Sequence, residues 1–189
     1  MKATKFVVSL AIPILLLVGC AVENKESTPK TEQLSKSTMK TEISEKQYPY
    51  YICEQIVEFQ YMKDLFIVNS MKAMEDKEKE KDILKTANKM DKILDNMEYI
   101  KVPDKYKEIH KDIQVGVTDA RKATKLIKDA SKEDKPNMQE AVLKSTPHLS
   151  GTDGENWKNA LYELSKENKD AYVKALEKLT KEHSENDFR

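Results

Sequence analysis

A chain of 189 residues fits one domain and its appendages, since a single core serves roughly 100 to 200 residues. With 4 Gly and 6 Pro against 35% charged residues, it lacks the turn chemistry of a strand-rich protein and predicts an all-α body. Basic and acidic residues balance at 33 each, which excludes long-range attraction to a phosphate backbone and makes nucleic acid an unexpected partner.

Residues 1–19 begin with Lys2 and Lys5 and continue through an apolar stretch from Phe6 to Val18, broken only by Ser9 and Pro13. A spanning helix needs roughly 20 apolar residues and a signal-peptide core about 7 to 15, so this segment reads as an export signal. Its removal takes away two lysines and no acid, leaving a mature net charge of about −2.

The stretch ends in Leu17-Val18-Gly19-Cys20, which resembles the lipobox of bacterial lipoproteins: Leu three before the cysteine and a small residue just before it. The resemblance implies a diacylglyceryl group on the Cys20 thiol, cleavage between Gly19 and Cys20, and a chain held at the extracytoplasmic face of the cell membrane. Two acyl chains at about 0.8 kcal/mol per methylene would contribute roughly 20 kcal/mol, far beyond the reversible hold of one myristoyl group. Together with the Lys-rich composition, the lipobox resembles the small uncharacterised helical lipoproteins of Gram-positive bacteria.

Residues 20–47 are rich in Ser, Thr, Lys and Glu and nearly free of apolar residues. Such a segment cannot offset its ordering entropy by burial. It is expected to be a flexible tether of roughly 30 Å root-mean-square span between lipid and body.

The body is expected over residues 48–185 as an antiparallel bundle of about four helices. Ile52, Ile56, Phe59, Phe66 and Ala73 make one helical stripe, and Ile83, Ala87, Met90, Leu94 and Met97 a second. Glu75 to Asp82 holds no breaker and keeps phase, so one long helix competes with two; the loss of apolar residues favours a turn near 76–81. Pro103 ends the second helix by about Ile100 and opens the third, which carries Tyr106, Ile109, Ile113, Val117, Ala120, Ile127 and Ala130. Pro136 to Lys144 suits a short fourth helix. Residues 145–154, dense in Pro and Gly, read as a loop. Thr152 and Glu155 have capping-box spacing, and a last helix is expected to carry Trp157, Leu161, Leu164, Ala171, Ala175 and Leu179 on one face, with Asn168 on the same stripe.

Candidate chemistry is sparse. His110, His148 and His183 have no ligand spacing, and His110 reads as a half-buried structural residue. Met90 and Met97 lie on the core stripe, while Met62, Met71 and Met74 share one helix; core filling is favoured over soft-metal ligation. Cys53 lies in an apolar run and reads as buried rather than as a dimerising thiol. Tyr48, Tyr50, Tyr51, Phe59 and Tyr61 could form a contact surface, but capping the open end of the bundle is the plainer role. There is no Gly-x-Ser-x-Gly elbow and no Gly-rich phosphate loop, and neither a metal nor another cofactor is called for.

These readings point to a membrane-anchored, non-enzymatic module that binds an envelope or extracellular protein. The alternatives are a carrier with an apolar pocket between helices and, further off, a wall-active hydrolase.

Overall fold

The structure, a computed structural model, describes residues 40–150, 152 and 155–183. They belong to one compact unit spanning Ser37–Arg189. The expected leader, the lipobox Leu17, Val18, Gly19 and Cys20, and residues 20–39 of the expected tether lie outside the described residues.

The class is all-α. In chain order the elements are β1 (Thr41–Glu42), α1 (Tyr48–Glu75), α2 (Glu80–Glu98), β2 (Ile100–Lys101), α3 (Lys107–Ala130), α4 (Met138–Ser150), α5 (Glu155–Glu167) and α6 (Ala171–Glu182). Short 3₁₀ turns at Lys77–Lys79 and Asp104–Tyr106 lead into α2 and α3. Among the described residues no helix is long and apolar enough to cross a membrane.

The folded body starts before position 48. Thr41 and Glu42 pair in parallel with Ile100 and Lys101, Lys101 bonds Glu42 at 2.8 Å, and Ile43 is buried. Strand pairing, the Lys101–Glu42 ion pair and burial of Ile43 together hold this stretch on the body.

α1 starts with Pro49 in its first turn, where a missing N–H costs nothing. It runs 28 residues, about 42 Å at 1.5 Å per residue, and is the central rod on which α2 and α6 lie. Two helices, rather than one, occupy 48–98. Asp76 is the cause: its backbone is extended, its N–H still bonds the Lys72 carbonyl, and its carboxylate accepts from the Glu78 N–H at 2.9 Å. One short acid thus closes α1 and opens the next turn without Gly or Pro.

α2 folds back along α1. Asn69 Nδ2 donates to Thr86 Oγ1 (2.9 Å), and Asn96 Nδ2 donates to Gln55 Oε1 (2.9 Å), so rising numbers on one helix meet falling numbers on the other. α3 returns along α2, joined through Arg121 (below). Ile52, Ile56, Phe59, Phe66, Ile83, Met90, Leu94, Met97, Ile113, Val117 and Ile127 fill the space between these helices, each at most 2% exposed. Each such side chain contributes roughly 1.5–3 kcal/mol by leaving water.

Two expectations fail beyond α3. The supposed loop at 145–154 is helical as far as Ser150, with Pro147 inside α4. Buried Ser145 and Leu149 anchor this last turn, and the Ser145 and Thr146 hydroxyls both donate to the Val142 carbonyl. Pro147 loses one helical bond near a helix end, where that loss is smallest. Thr152 donates its hydroxyl back to the Leu149 carbonyl at 2.6 Å; residues 153 and 154 of the proposed capping box lie outside the described residues.

The expected last helix is two. α5 ends at Glu167 and the chain reverses through 168–170 into α6. The stripe keeps helical phase across the break, but its halves face different neighbours. Trp157 Nε1 donates to the Ile113 carbonyl of α3 at 3.0 Å, whereas α6 runs along α1 through Tyr50–Asp170, Glu54–Lys178 and Glu58–His183 contacts. Asn168, half-buried, sits at the reversal: its N–H bonds Leu164 and its carbonyl accepts from Ala171.

Candidate binding groove

The residues singled out by chemistry become structural. His110 is 8% exposed. Gln114 Nε2 donates to the Met97 carbonyl (3.1 Å) and faces His110 Nε2 at 2.8 Å. An amide nitrogen only donates, so Nε2 accepts and the ring proton sits on Nδ1, donated to the Tyr48 hydroxyl 2.7 Å away. A second proton would set donor against donor. Burial, with the charge of Lys40, pushes His110 down to about 4. A hollow of about 330 Å³ beside it is lined by Lys107 and Lys111, but these are tied to Asp104 and Glu108 and both ring nitrogens are used.

The aromatic set is dispersed. Tyr48 is fully buried and stacks on Tyr106 with centroids 4.7 Å apart. Phe59 meets Trp157 edge-on at 5.1 Å. The hydroxyls of Tyr50 and Tyr51 bond Asp170 and the Asn96 carbonyl, and the Tyr61 ring lies against His183. These rings join helices along α1 instead of closing one end. Cys53 is fully buried and burial pushes its thiol up to about 12.

Charge is concentrated where α2 meets α3. Arg121 reaches Asp91 (2.8 Å), Asp95 (2.6 Å) and Glu98 (2.7 Å), and Lys128 reaches the second oxygen of Asp91 at 2.6 Å. Burial works against the Asp91 charge, but Lys128, Thr124 and Arg121 outweigh it and hold the carboxyl below its usual range. Every formal charge here has its partner, so this cluster is a clasp between helices.

Among the described hollows, the one lined mainly by apolar side chains is a groove between α1 and α4. It is a hollow of about 360 Å³ lined by Lys63, Phe66, Ile67, Ser70, Met71, Met74, Val142, Leu143, Thr146, Leu149 and Ser150. It exists because α4 lies against α3 and touches α1 only lightly, so the outer face of the last three turns of α1 is left uncovered. Met62, Met90 and Met97 are core residues as expected, but Met71 and Met74 are 61% and 66% exposed. Ile67 at 48% and Leu143 at 73% stand beside them.

The chain was compared with protein-family models, with curated proteins and with solved structures. It matches none.

The hydroxyls in that groove are turned inward: Ser70 donates to the Phe66 carbonyl (2.7 Å), Thr146 to Val142 (2.9 Å) and Ser150 to Pro147 (2.7 Å). Lys63, the one charged lining residue, is 7% exposed and already has an interaction of its own. The lining holds no carboxylate, imidazole or thiol. Such a surface can exchange water for an apolar partner. Sequence periodicity located Met71 and Met74 on an apolar helix; no pattern in it indicated that α4 would lean away.

Proposed function

We propose that the chain is a lipoprotein precursor, cut before Cys20 and anchored by lipid on that cysteine at the extracytoplasmic face of the membrane, whose helical body is a non-enzymatic binding module. The observation carrying the binding role is the α1–α4 groove, where four large apolar side chains stand open in one place. Scattered apolar residues on a surface are ordinary; a contiguous patch of about 300–600 Å² is the largest a typical monomer carries, and that patch is often functional. Methionine suits such a face because its flexible thioether adapts to the surface it meets.

On this reading the body is a four-rod bundle, with α1, α2 and α3 as three rods and α4 and α5 as two halves of the fourth. α6 is an outer strut on α1.

Two experiments test the parts separately. Metabolic labelling with a clickable fatty acid should tag the wild-type chain and leave Cys20→Ala untagged; equal labelling ends the anchor. For the module, proteins co-purified from membranes by the full chain should be lost with Leu143→Glu while helix content is unchanged. A partner retained equally by both would remove the groove from the account.

The hollow also favours a second reading, a carrier of a small apolar ligand, because about 360 Å³ falls at the lower end of the roughly 300–1,000 Å³ of ligand pockets. A melting temperature raised by an apolar compound in wild type and not in Leu143→Glu would support it.

A further inference from the structure

The α1–α4 face carries both a ridge and a recess. Leu143 and Met74 stand out from it, 73% and 66% exposed, and the hollow between α1 and α4 lies directly beside them, floored by Phe66, Val142 and Leu149. A twofold interface requires the same patch on both sides, each copy supplying the ridge for the other's recess. We propose that the partner taken by this groove is a second copy of the chain, with Leu143 of each copy entering the hollow of the other. The inference rests on the reading of the groove as the contact face.

Area is the argument for this occupant. Taking about 150 Å² as the full area of a Leu, Ile or Met side chain, the lower end of what an aromatic buries, Ile67, Met71, Met74 and Leu143 leave roughly 370 Å² uncovered. A standard interface buries about 800 Å² per partner, and a homodimer's is about 65% apolar, so roughly 500 Å² of apolar surface is required. The four side chains supply about three-quarters of it, and the groove floor lies behind them. The three lining hydroxyls already donate to their own helices, so closing over them leaves none of those donors unpaired. Anchoring both copies in one membrane would further raise their effective concentration.

The test uses the full chain in whole cells. Leu143 is replaced by the photo-crosslinking residue p-benzoylphenylalanine, the cells are illuminated, and the adduct is mapped by mass spectrometry. The expected product has twice the chain's mass, with the crosslink to residues 63–74 of a second copy. Met71→Glu on the same background should reduce it at least 10-fold, since an unpaired carboxylate would be buried in the hollow that receives the other copy's side chain. Because Met71 is exposed, that variant keeps its fold, which circular dichroism checks. An adduct to a different polypeptide overturns the second copy and leaves the groove standing as a contact face. No adduct, together with partners indifferent to Leu143→Glu in the co-purification above, removes both. A doubled product unaffected by Met71→Glu also overturns the proposal, because the copies then meet elsewhere.

Discussion

The indole of Trp157 occupies the space that a side chain at position 116 would need: a Cβ built on Gly116 would lie 2.7 Å from Trp157 Cδ1 and Cε2, and nearer still to Nε1. Gly in a helix interior costs about 1 kcal/mol relative to Ala, so at an open site Gly116→Ala would stabilise α3. Here the sign reverses. The ring is fully buried, pinned by its bond to the Ile113 carbonyl and by Phe59 at its edge, and it cannot step aside without opening the core. Gly116→Ala is expected to lose about 1–3 kcal/mol, as overpacked cores do, read as a lower urea midpoint at unchanged slope. In a Trp157→Leu background the same substitution should be neutral or stabilising, and a loss of equal size there would refute the contact.

His110 makes stability depend on pH in a definite window. Its folded value is about 4 against an ordinary 6.5, so the unfolded chain takes up the proton first. Stability is fully present above pH 6.5, declines as pH falls from 6.5 towards 4, and loses nothing more from this group below that. The difference corresponds to an effect on the order of 3 kcal/mol at most. His110→Gln, which lacks the titration, should flatten the stability profile between pH 6.5 and 4 in chemical denaturation. A wild-type profile already flat there would contradict the lowering of His110 by burial.

Arg121 should not be replaceable by Lys. Its guanidinium spans three carboxylates on successive turns of α2, a geometry that a planar fork matches and a single ammonium cannot. Arg121→Lys is expected to cost about 1–2 kcal/mol, and Arg121→Met somewhat more, because Asp91 then keeps only Lys128 and the Thr124 hydroxyl. The pairs are partly exposed, so added salt should narrow the gap between wild type and Arg121→Met. Thermal melts at low and high ionic strength measure this; a gap indifferent to salt would mean that packing of the Arg stem, and not charge, is what counts.

The apolar stripes were legible in the sequence because burial leaves a periodic signature: nearly every residue on the predicted faces of α1, α2 and α3 lies in the core. The reversal at Asn168 was not, since the stripe of Trp157 and Leu164 and that of Ala171 and Ala175 share one phase whether the helix continues or folds back. Periodicity records that a face is covered and is silent on which neighbour covers it. Pro147 misled for a related reason. Proline disfavours helix locally, but buried Ser145 and Leu149 on either side outweigh one missing hydrogen bond. The groove was hidden in the same way: Met71 and Met74 stand one position off the buried stripe of Phe66, Ser70 and Ala73, and the lean of α4 onto α3 leaves them uncovered.

Cys53 offers a direct measure of how the body opens. The thiolate is the reactive form, and a thiol pushed up to about 12 holds only on the order of one part in ten thousand as thiolate at pH 8; full burial then denies the reagent any approach. Modification by a disulfide reagent should therefore wait for unfolding, and its rate should follow the open population. Gly116→Ala, which lowers stability by about 1–3 kcal/mol, is expected to speed labelling by roughly 5- to 150-fold, in proportion to its measured loss. Arg121→Met should do likewise in proportion to its own. Labelling of the folded wild type at the pace of a free cysteine, or a rate unmoved by these substitutions, would show that α1 opens locally around position 53 without the rest of the core.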